Sequence, residues 1–374
     1  MFRNGIIMSR KTVLIAAGGT GGHVMPALSL YDELIERGYR VLFVSDTRGH
    51  VFVPEALENL HVLPLTGRKN VLSLIKSLFW AVGFLRKERV QAVVSFGGYV
   101  AFPVNLAALI SGCSYILHEQ NALLGRVNRW FSCNTRALAL TWKQTQALPQ
   151  TKALKARIRV TGIPVRQIFQ SVRKQEYRAP EDQESIHLLV LGGSQGASFF
   201  AQTIPKALAS LPEKLHKRIR LVLQCPQRDL ENARDACRRG NIKAELSVFF
   251  QDIEAQFKKA HFVIARSGAS SVAEVAGAGR PALFVPYPFA MDDHQRANAD
   301  AIVSEGGGWM CAQDQLTSDK LAVFLERVLN SPQALVFAAE RARSCEQLNA
   351  QKKLADVVGE IVLRMEIEDM KESV

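Results

Sequence analysis

The sequence predicts an α/β protein of two doubly wound domains, each a parallel sheet covered by helices. Short β-branched runs alternate with amphipathic segments of helical period almost throughout. An apolar strand running into a glycine turn occurs twice, about half a chain apart, so each copy opens a separate doubly wound domain. The third observation is length: 374 residues, 48% of them hydrophobic, are enough for two cores and exclude both disorder and a small disulfide scaffold.

Taken in order, the clearest strands are Val13 to Ala17, Val41 to Val44, Ala92 to Ser95, Ile186 to Leu191, Leu221 to Gln224, Phe262 to Ala265 and Ala282 to Val285. After the first, Ala27 to Arg37 puts Ala27, Leu30, Tyr31 and Leu34 on one helix face and stops at Gly38. Val90 to Leu117 carries no formal charge and is long enough to cross a bilayer. However, Gly97, Gly98, Pro103, Asn105 and Gly112 divide it into strand, turn, helix and strand. The charged stretch Arg166 to Glu184, with Pro164 at its head and Pro180 near its end, reads as the linker between halves. Past Ser318 the pattern is mostly helical, and a last helix at about 345–374 is placed back on the first domain.

Charge narrows the function classes. There are 47 Lys and Arg against 35 Asp and Glu, a formal +12, which suits a polyanion, an anionic membrane or a phosphorylated substrate. Nucleic acid is the weakest of these, because no zinc-finger, helix-turn-helix or RNP signature accompanies the charge. The cysteines at 113, 133, 225, 237, 311 and 345 form no CxxC pair, so they read as free thiols of a reducing compartment. Arg10 and Lys11 directly precede a short apolar run that ends in glycines, which is no secretory signal. A cytoplasmic setting is expected from both.

The glycine turns carry the chemistry. Gly18-Gly19-Thr20-Gly21-Gly22 follows the first strand, and Gly192-Gly193-Ser194-Gln195-Gly196-Ala197 follows the strand that opens the second half. Such turns let backbone N–H groups and the positive end of the next helix meet a phosphate. Neither is a GxGxxG fingerprint, since Val24 stands where the last glycine would be, and no GK[ST] is present, so a nicotinamide dehydrogenase and a P-loop kinase are disfavoured. A third turn, Arg266-Ser267-Gly268-Ala269-Ser270-Ser271 before Val272-Ala273-Glu274, offers hydroxyls and unpaired N–H donors at a helix start.

Seven motifs in one order make the chain similar to a known family. They are Gly18 to His23 with Pro26, Phe96-Gly97-Gly98-Tyr99, His118-Glu119-Gln120-Asn121, Pro164-Val165-Arg166, Gly192 to Ala197, Arg266 to Ala269 with Glu274, and Asp293-His294-Gln295 with Asn298. The chain resembles the bacterial peptidoglycan glycosyltransferases that add N-acetylglucosamine to undecaprenyl-pyrophosphoryl-N-acetylmuramoyl-pentapeptide. The resemblance implies a GT-B fold, with two Rossmann-like domains whose parallel sheets face each other across a cleft. It implies UDP-N-acetylglucosamine as donor and lipid I as acceptor, giving lipid II with inversion, and residues 1–163 and 164–344 as acceptor and donor domains. It also implies a peripheral position on the cytoplasmic face of the inner membrane.

The resemblance assigns Thr20, Gly21 and Gly22 to the loop bordering donor sugar and diphosphate, Asn121 to the sugar, Arg166 to the domain junction and Ser194 to the diphosphate. Phe250 is assigned to the uracil through its backbone, and Glu274 to the ribose hydroxyls. The hydroxylic helix start of Ala269, Ser270 and Ser271 joins the substrate set, and His294 and Gln295 are both placed against sugar hydroxyls. One departure is Ile163, where the family usually has Asn.

Inverting transfer needs a base for the acceptor hydroxyl and positive charge for the departing diphosphate. His23, after the glycine loop at a helix start, is the first candidate base because imidazole titrates near neutral pH. Glu119 is the alternative. No cofactor or metal is expected, since there is no DxD pattern and Asp292-Asp293 lacks the spacing for a divalent cation. On the lipid side, Arg68 to Arg89 holds six bases against Glu88 alone, among aliphatic and aromatic residues. That suits a helix on an anionic leaflet with Trp80 at headgroup level. The rivals are a UDP-N-acetylglucosamine 2-epimerase or a transferase to another lipid or aglycone.

Overall fold

The computed structural model describes residues 11–65, 70–148, 151, 154, 157–193, 197–345 and 349–372. The chain divides into two compact units, Met1–Pro164 with Gln347–Val374, and Val165–Glu346.

The sheet of unit 1 contains β1 (Thr12–Ala16), β2 (Arg40–Ser45), β3 (Leu60–Val62), β4 (Ala92–Ser95), β5 (Ser114–Glu119), β6 (Ala137–Leu140) and β7 (Ile158–Val160). All pairs are parallel, in the spatial order β3-β2-β1-β4-β5-β6-β7. Every residue of β1, β4, β5 and β6 is buried, as expected for central strands covered on both faces. The helix Gly21–Glu36 ends before Gly38, whose φ of +85° only glycine takes without strain. It starts six residues earlier than the apolar pattern indicates, because Pro26 in its second turn removes only one ladder bond. The uncharged stretch 90–117 is β4, the helix Gly98–Ile110 and β5, and no described helix is long and apolar enough to cross a membrane.

The helix Ala350–Glu372 packs on Gly21–Glu36, burying Leu354, Val358 and Val362 beside Leu30 and Leu34. Arg37 joins the two by pairing with Glu33 at 2.8 Å and Asp356 at 2.6 Å.

The second unit repeats the plan. Its strands are β8 (Ile186–Leu191), β9 (Ile219–Gln224), β10 (Lys243–Ser247), β11 (Phe262–Ala265), β12 (Ala282–Phe284) and β13 (Trp309–Met310). They are parallel, in the order β10-β9-β8-β11-β12-β13. The stretch expected as a linker is instead an element of this unit. The helix Gln167–Lys174 inserts Phe169 and Val172, both fully buried, and packs on the helices Ile253–Lys259 and Ala269–Ala278. Arg173 and Lys174 close it and further charges flank it, so composition alone hides its two buried apolar positions. All six cysteines are free.

Candidate active site

In an open parallel sheet, ligands meet the carboxyl ends of strands where the strand order reverses. In unit 1 that point lies between β1 and β4, and in unit 2 between β8 and β11. The three glycine turns of the sequence fall there, so topology and motif select the same ends.

In unit 1 the turn after β1 is held from below by Asp46, a buried residue just past β2. Its Oδ1 accepts from the N–H groups of Gly19 and Gly49, each at 2.8 Å, and Arg48 pairs with Oδ2 at 3.1 Å. Gly18 is obligatory: a Cβ would lie 2.5 Å from Val100 and 2.7 Å from Asp46 Oδ1. Thr20 is the N-cap residue of the helix carrying Gly21, Gly22 and His23, and Thr20 Oγ1 lies 3.0 Å from His23 Nδ1. This contact fixes the imidazole and turns Nε2 toward Gly98, where a glycine Cβ position is 3.8 Å away. His118 is fully buried nearby, with Nε2 3.0 Å from Gly162 O. Burial holds it down to about 4, so it is neutral near pH 7.

Glu119 ends β5 and is also buried. Its carboxylate accepts from Asn121 N at 3.0 Å, Asn121 Nδ2 at 3.2 Å, Gly125 N at 2.8 Å and Asn128 Nδ2 at 2.8 Å. Burial pushes its pKa up, and the four donors pull it back. Four donors occupy a carboxylate's lone pairs, so Glu119 shapes the loop that presents Asn121. A general base in this position would have to break that set.

In unit 2 the carboxylate is differently placed. Glu274 lies one turn into the helix Ala269–Ala278, half-buried on the same face as Ser270 and Ser271, while Ala269 is buried at its start. Among the described residues it accepts one hydrogen bond, from Arg166 Nη2 at 3.2 Å. Burial raises its pKa and the Arg166 charge opposes the rise. Arg166 stacks on Phe169 at 5.1 Å, and its Nε is buried without a partner among the described residues. The same is true of Ser267 Oγ, just before that helix. Donor groups therefore converge at this helix start with capacity to spare.

Gln295 Oε1 accepts from Tyr287 N at 2.9 Å, and His294 Nδ1 lies 2.7 Å from Met291 O, in a turn where Asp292 and Asp293 both have positive φ. Phe250 is buried in the loop after β10. Ser194 lies outside the described residues, and Ile163 is buried.

Glycosyltransferase family 28 models match both units, the N-terminal domain over residues 13–139 and the C-terminal domain over 187–360. A curated relative from Paramagnetospirillum magneticum, a UDP-N-acetylglucosamine--N-acetylmuramyl-(pentapeptide) pyrophosphoryl-undecaprenol N-acetylglucosamine transferase, is 42% identical over 93% of this chain and 96% of its own. The chain belongs to glycosyltransferase family 28. Among solved structures, Acinetobacter baumannii MurG aligns with a TM-score of 0.78 and 28% identity over 94% of this chain and 99% of that one. A putative UDP-N-acetylglucosamine 2-epimerase from Listeria monocytogenes aligns at 0.66 with 13% identity, over 94% and 96% of the two chains, and so shares the fold. The family 28 chain thus has the two Rossmann-like domains of a GT-B enzyme, and it is a hexosyltransferase.

Three supports of the family 28 site were not singled out from sequence. Asp46 had a faint signal, an acid directly after a strand on the ligand end. Asn128 had none, because it reaches Glu119 from a helix nine positions on. Arg266 opens the third glycine turn, but its role depends on packing that the sequence does not show. It is buried, donates to Val285 O and Pro286 O at 3.1 Å each, and lies over Phe200 and Tyr287, tying the turns after β11 and β12 together. Burial lowers its pKa to about 10, still well above neutral.

The basic helix of unit 1 is Val71–Lys87, and Arg68 and Lys69 fall outside the described residues. Ser73, Ser77, Ala81 and Leu85 face the core, leaving Val71, Leu72, Ile75 and Phe79 outward, with Leu72 72% and Phe79 74% exposed. Trp80, expected at headgroup level, is half-buried: it stacks on Phe84 at 4.5 Å and packs near His61. Phe79 takes the outward position because it falls on the stripe opposite the small buried serines. Lys76, Arg86 and Lys87 are exposed beside that stripe.

Proposed function

We propose that this chain transfers N-acetylglucosamine from UDP-N-acetylglucosamine to undecaprenyl-pyrophosphoryl-N-acetylmuramoyl-pentapeptide, forming lipid II in peptidoglycan synthesis. The observation that carries it is identity of 42% across both units to a transferase of that name.

In the proposed step, His23 donates Nδ1–H to Thr20 Oγ1, which leaves Nε2 as the acceptor for the proton of the attacking hydroxyl. The acceptor oxygen bonds to the anomeric carbon as the bond to the UDP oxygen breaks, and inversion follows from attack opposite the leaving group. The electron pair departs onto the diphosphate. Arg166 and the start of the helix Ala269–Ala278 supply positive potential, and Glu274 binds the ribose hydroxyls. Thr20, Gly21, Gly22 and Asn121 border the sugar, His294 and Gln295 meet its hydroxyls, and Ser194 meets the diphosphate. No divalent ion is invoked, since Asp293 pairs with Arg296 at 2.9 Å, and turnover is expected to persist in excess chelator.

The stripe Val71, Leu72, Ile75 and Phe79, flanked by Lys76, Arg86 and Lys87, is proposed as the surface that seats unit 1 on an anionic membrane, where the acceptor's polyprenyl chain resides. No nucleic acid partner is proposed. Incubation with labelled UDP-N-acetylglucosamine and a lipid I analogue tests the reading. A labelled disaccharide lipid is expected, and epimerised sugar from donor alone would overturn it.

A further inference from the structure

The strongest feature outside this site is a cavity of about 500 Å³ in unit 1, lined among others by Ser114, Tyr115, Arg136, Arg157, Arg159 and Arg364. It lies at the amino ends of β5, β6 and β7. Ser114 opens β5 and Glu119 closes it, so the cavity is roughly 17 Å from the catalytic end at about 3.3 Å per residue. We propose that this basin is a second anion site, which binds a phosphate group of a molecule other than the two substrates.

Four arginines from three separate segments converge there: the turn before β6, the start of β7 and the C-terminal helix. No carboxylate lines the basin among the described residues. Glu360, one turn from Arg364, pairs with Arg159 at 3.7 Å and with Arg364, and is the acid those pairs involve. Two of the guanidinium groups are held by backbone oxygens, Arg157 Nη1 donating to Cys133 O and Arg159 Nη1 to Ile158 O. The floor is equally fixed, with Tyr115 O–H donating to Phe131 O at 2.8 Å and Thr135 O–H held between Tyr115 O and Ala137 O. Planar guanidinium forks arriving from several directions match the tetrahedral oxygens of a phosphate better than the single plane of a carboxylate. The volume admits a small phosphorylated molecule or a lipid headgroup, and both sources present the same chemistry.

The test uses the full chain with saturating UDP, so that the donor site is occupied. Pyrophosphate is titrated by calorimetry, and binding is measured to phosphatidylcholine vesicles with and without phosphatidylglycerol. The variant is R136Q/R157Q/R364Q, and the control is K214Q/R238Q/R239Q, which removes the same charge from exposed positions of unit 2. Saturable pyrophosphate binding weakened about tenfold or more in the basin variant alone supports the site and identifies a free phosphate source. Loss confined to phosphatidylglycerol vesicles, again in the basin variant alone, supports it with a lipid source. Equal behaviour of the basin variant and the wild type, or equal loss in basin and control variants, overturns it. UDP affinity unchanged in the basin variant shows that the fold and the donor site are intact, so this result stands apart from the proposed transferase reaction.

Discussion

Glu119 and Glu274 are both shielded carboxylates at the ligand ends of their sheets, yet they are built for different tasks. Glu119 receives four hydrogen bonds from its own loop, and Glu274 receives one, from an arginine that itself keeps a buried N–H to spare. A buried carboxylate with every lone pair occupied is part of the frame; one with open positions beside unsatisfied donors is part of a binding surface. Unit 1 therefore presents a preset end, beside which His23 is the proposed base, and unit 2 presents an end with donors left over for the proposed ligand.

The largest effect expected is at His23. His23→Ala should lower kcat by about 10²- to 10⁴-fold while donor affinity stays within about twofold, and near-full turnover would remove it as the base. Next, Glu119→Ala should lower unfolding stability by roughly 3 kcal/mol, because four donors lose one acceptor. Unchanged denaturant unfolding would dissolve the contrast with Glu274.

His118 sharpens the description of unit 1 as a preset frame. Its folded pKa of about 4 lies below the ordinary 6.5, so the unfolded chain binds more protons between these values. Stability should therefore fall as pH drops from 6.5 to 4, by up to roughly 3 kcal/mol from this group. His118→Gln should flatten that slope in pH-dependent unfolding.

The smallest effect concerns unit 2. Because burial raises Glu274, donor KM should rise with falling pH from above the usual carboxylate range. Removing the opposing charge in Arg166→Gln should move that rise to higher pH, measured as the acid limb of kcat/KM; an unmoved limb would mean that Arg166 does not tune Glu274.

Sequence alone made the two sheets and their glycine turns legible, because parallel strands need β-branched runs and close turns need glycine. Gly18 shows why: its place is set by Val100 and Asp46, and only the absence of a side chain fits. Glu119 stood out in the sequence as a candidate carboxylate, but its hydrogen-bond set did not, since its partners Gly125 and Asn128 become neighbours only when the loop folds. The outward residue of the basic helix was misjudged for a similar reason. Periodicity defines a stripe, and only packing against His61 and Phe84 reveals that Trp80 turns inward and Phe79 outward. The helix Gln167–Lys174 was hidden by the charged residues in and around it, Arg166, Arg173, Lys174, Glu176 and Arg178, which outnumber its buried Phe169 and Val172.

The most direct measurement is calorimetric titration of UDP-N-acetylglucosamine into Glu274→Gln and Glu119→Gln, side by side with the parent chain. Glu274→Gln should weaken donor binding by about tenfold to a hundredfold, as for loss of charged hydrogen bonds, and Glu119→Gln by less than about threefold. Equal weakening in both, or a larger loss in Glu119→Gln, would contradict the division of roles between the two carboxylates.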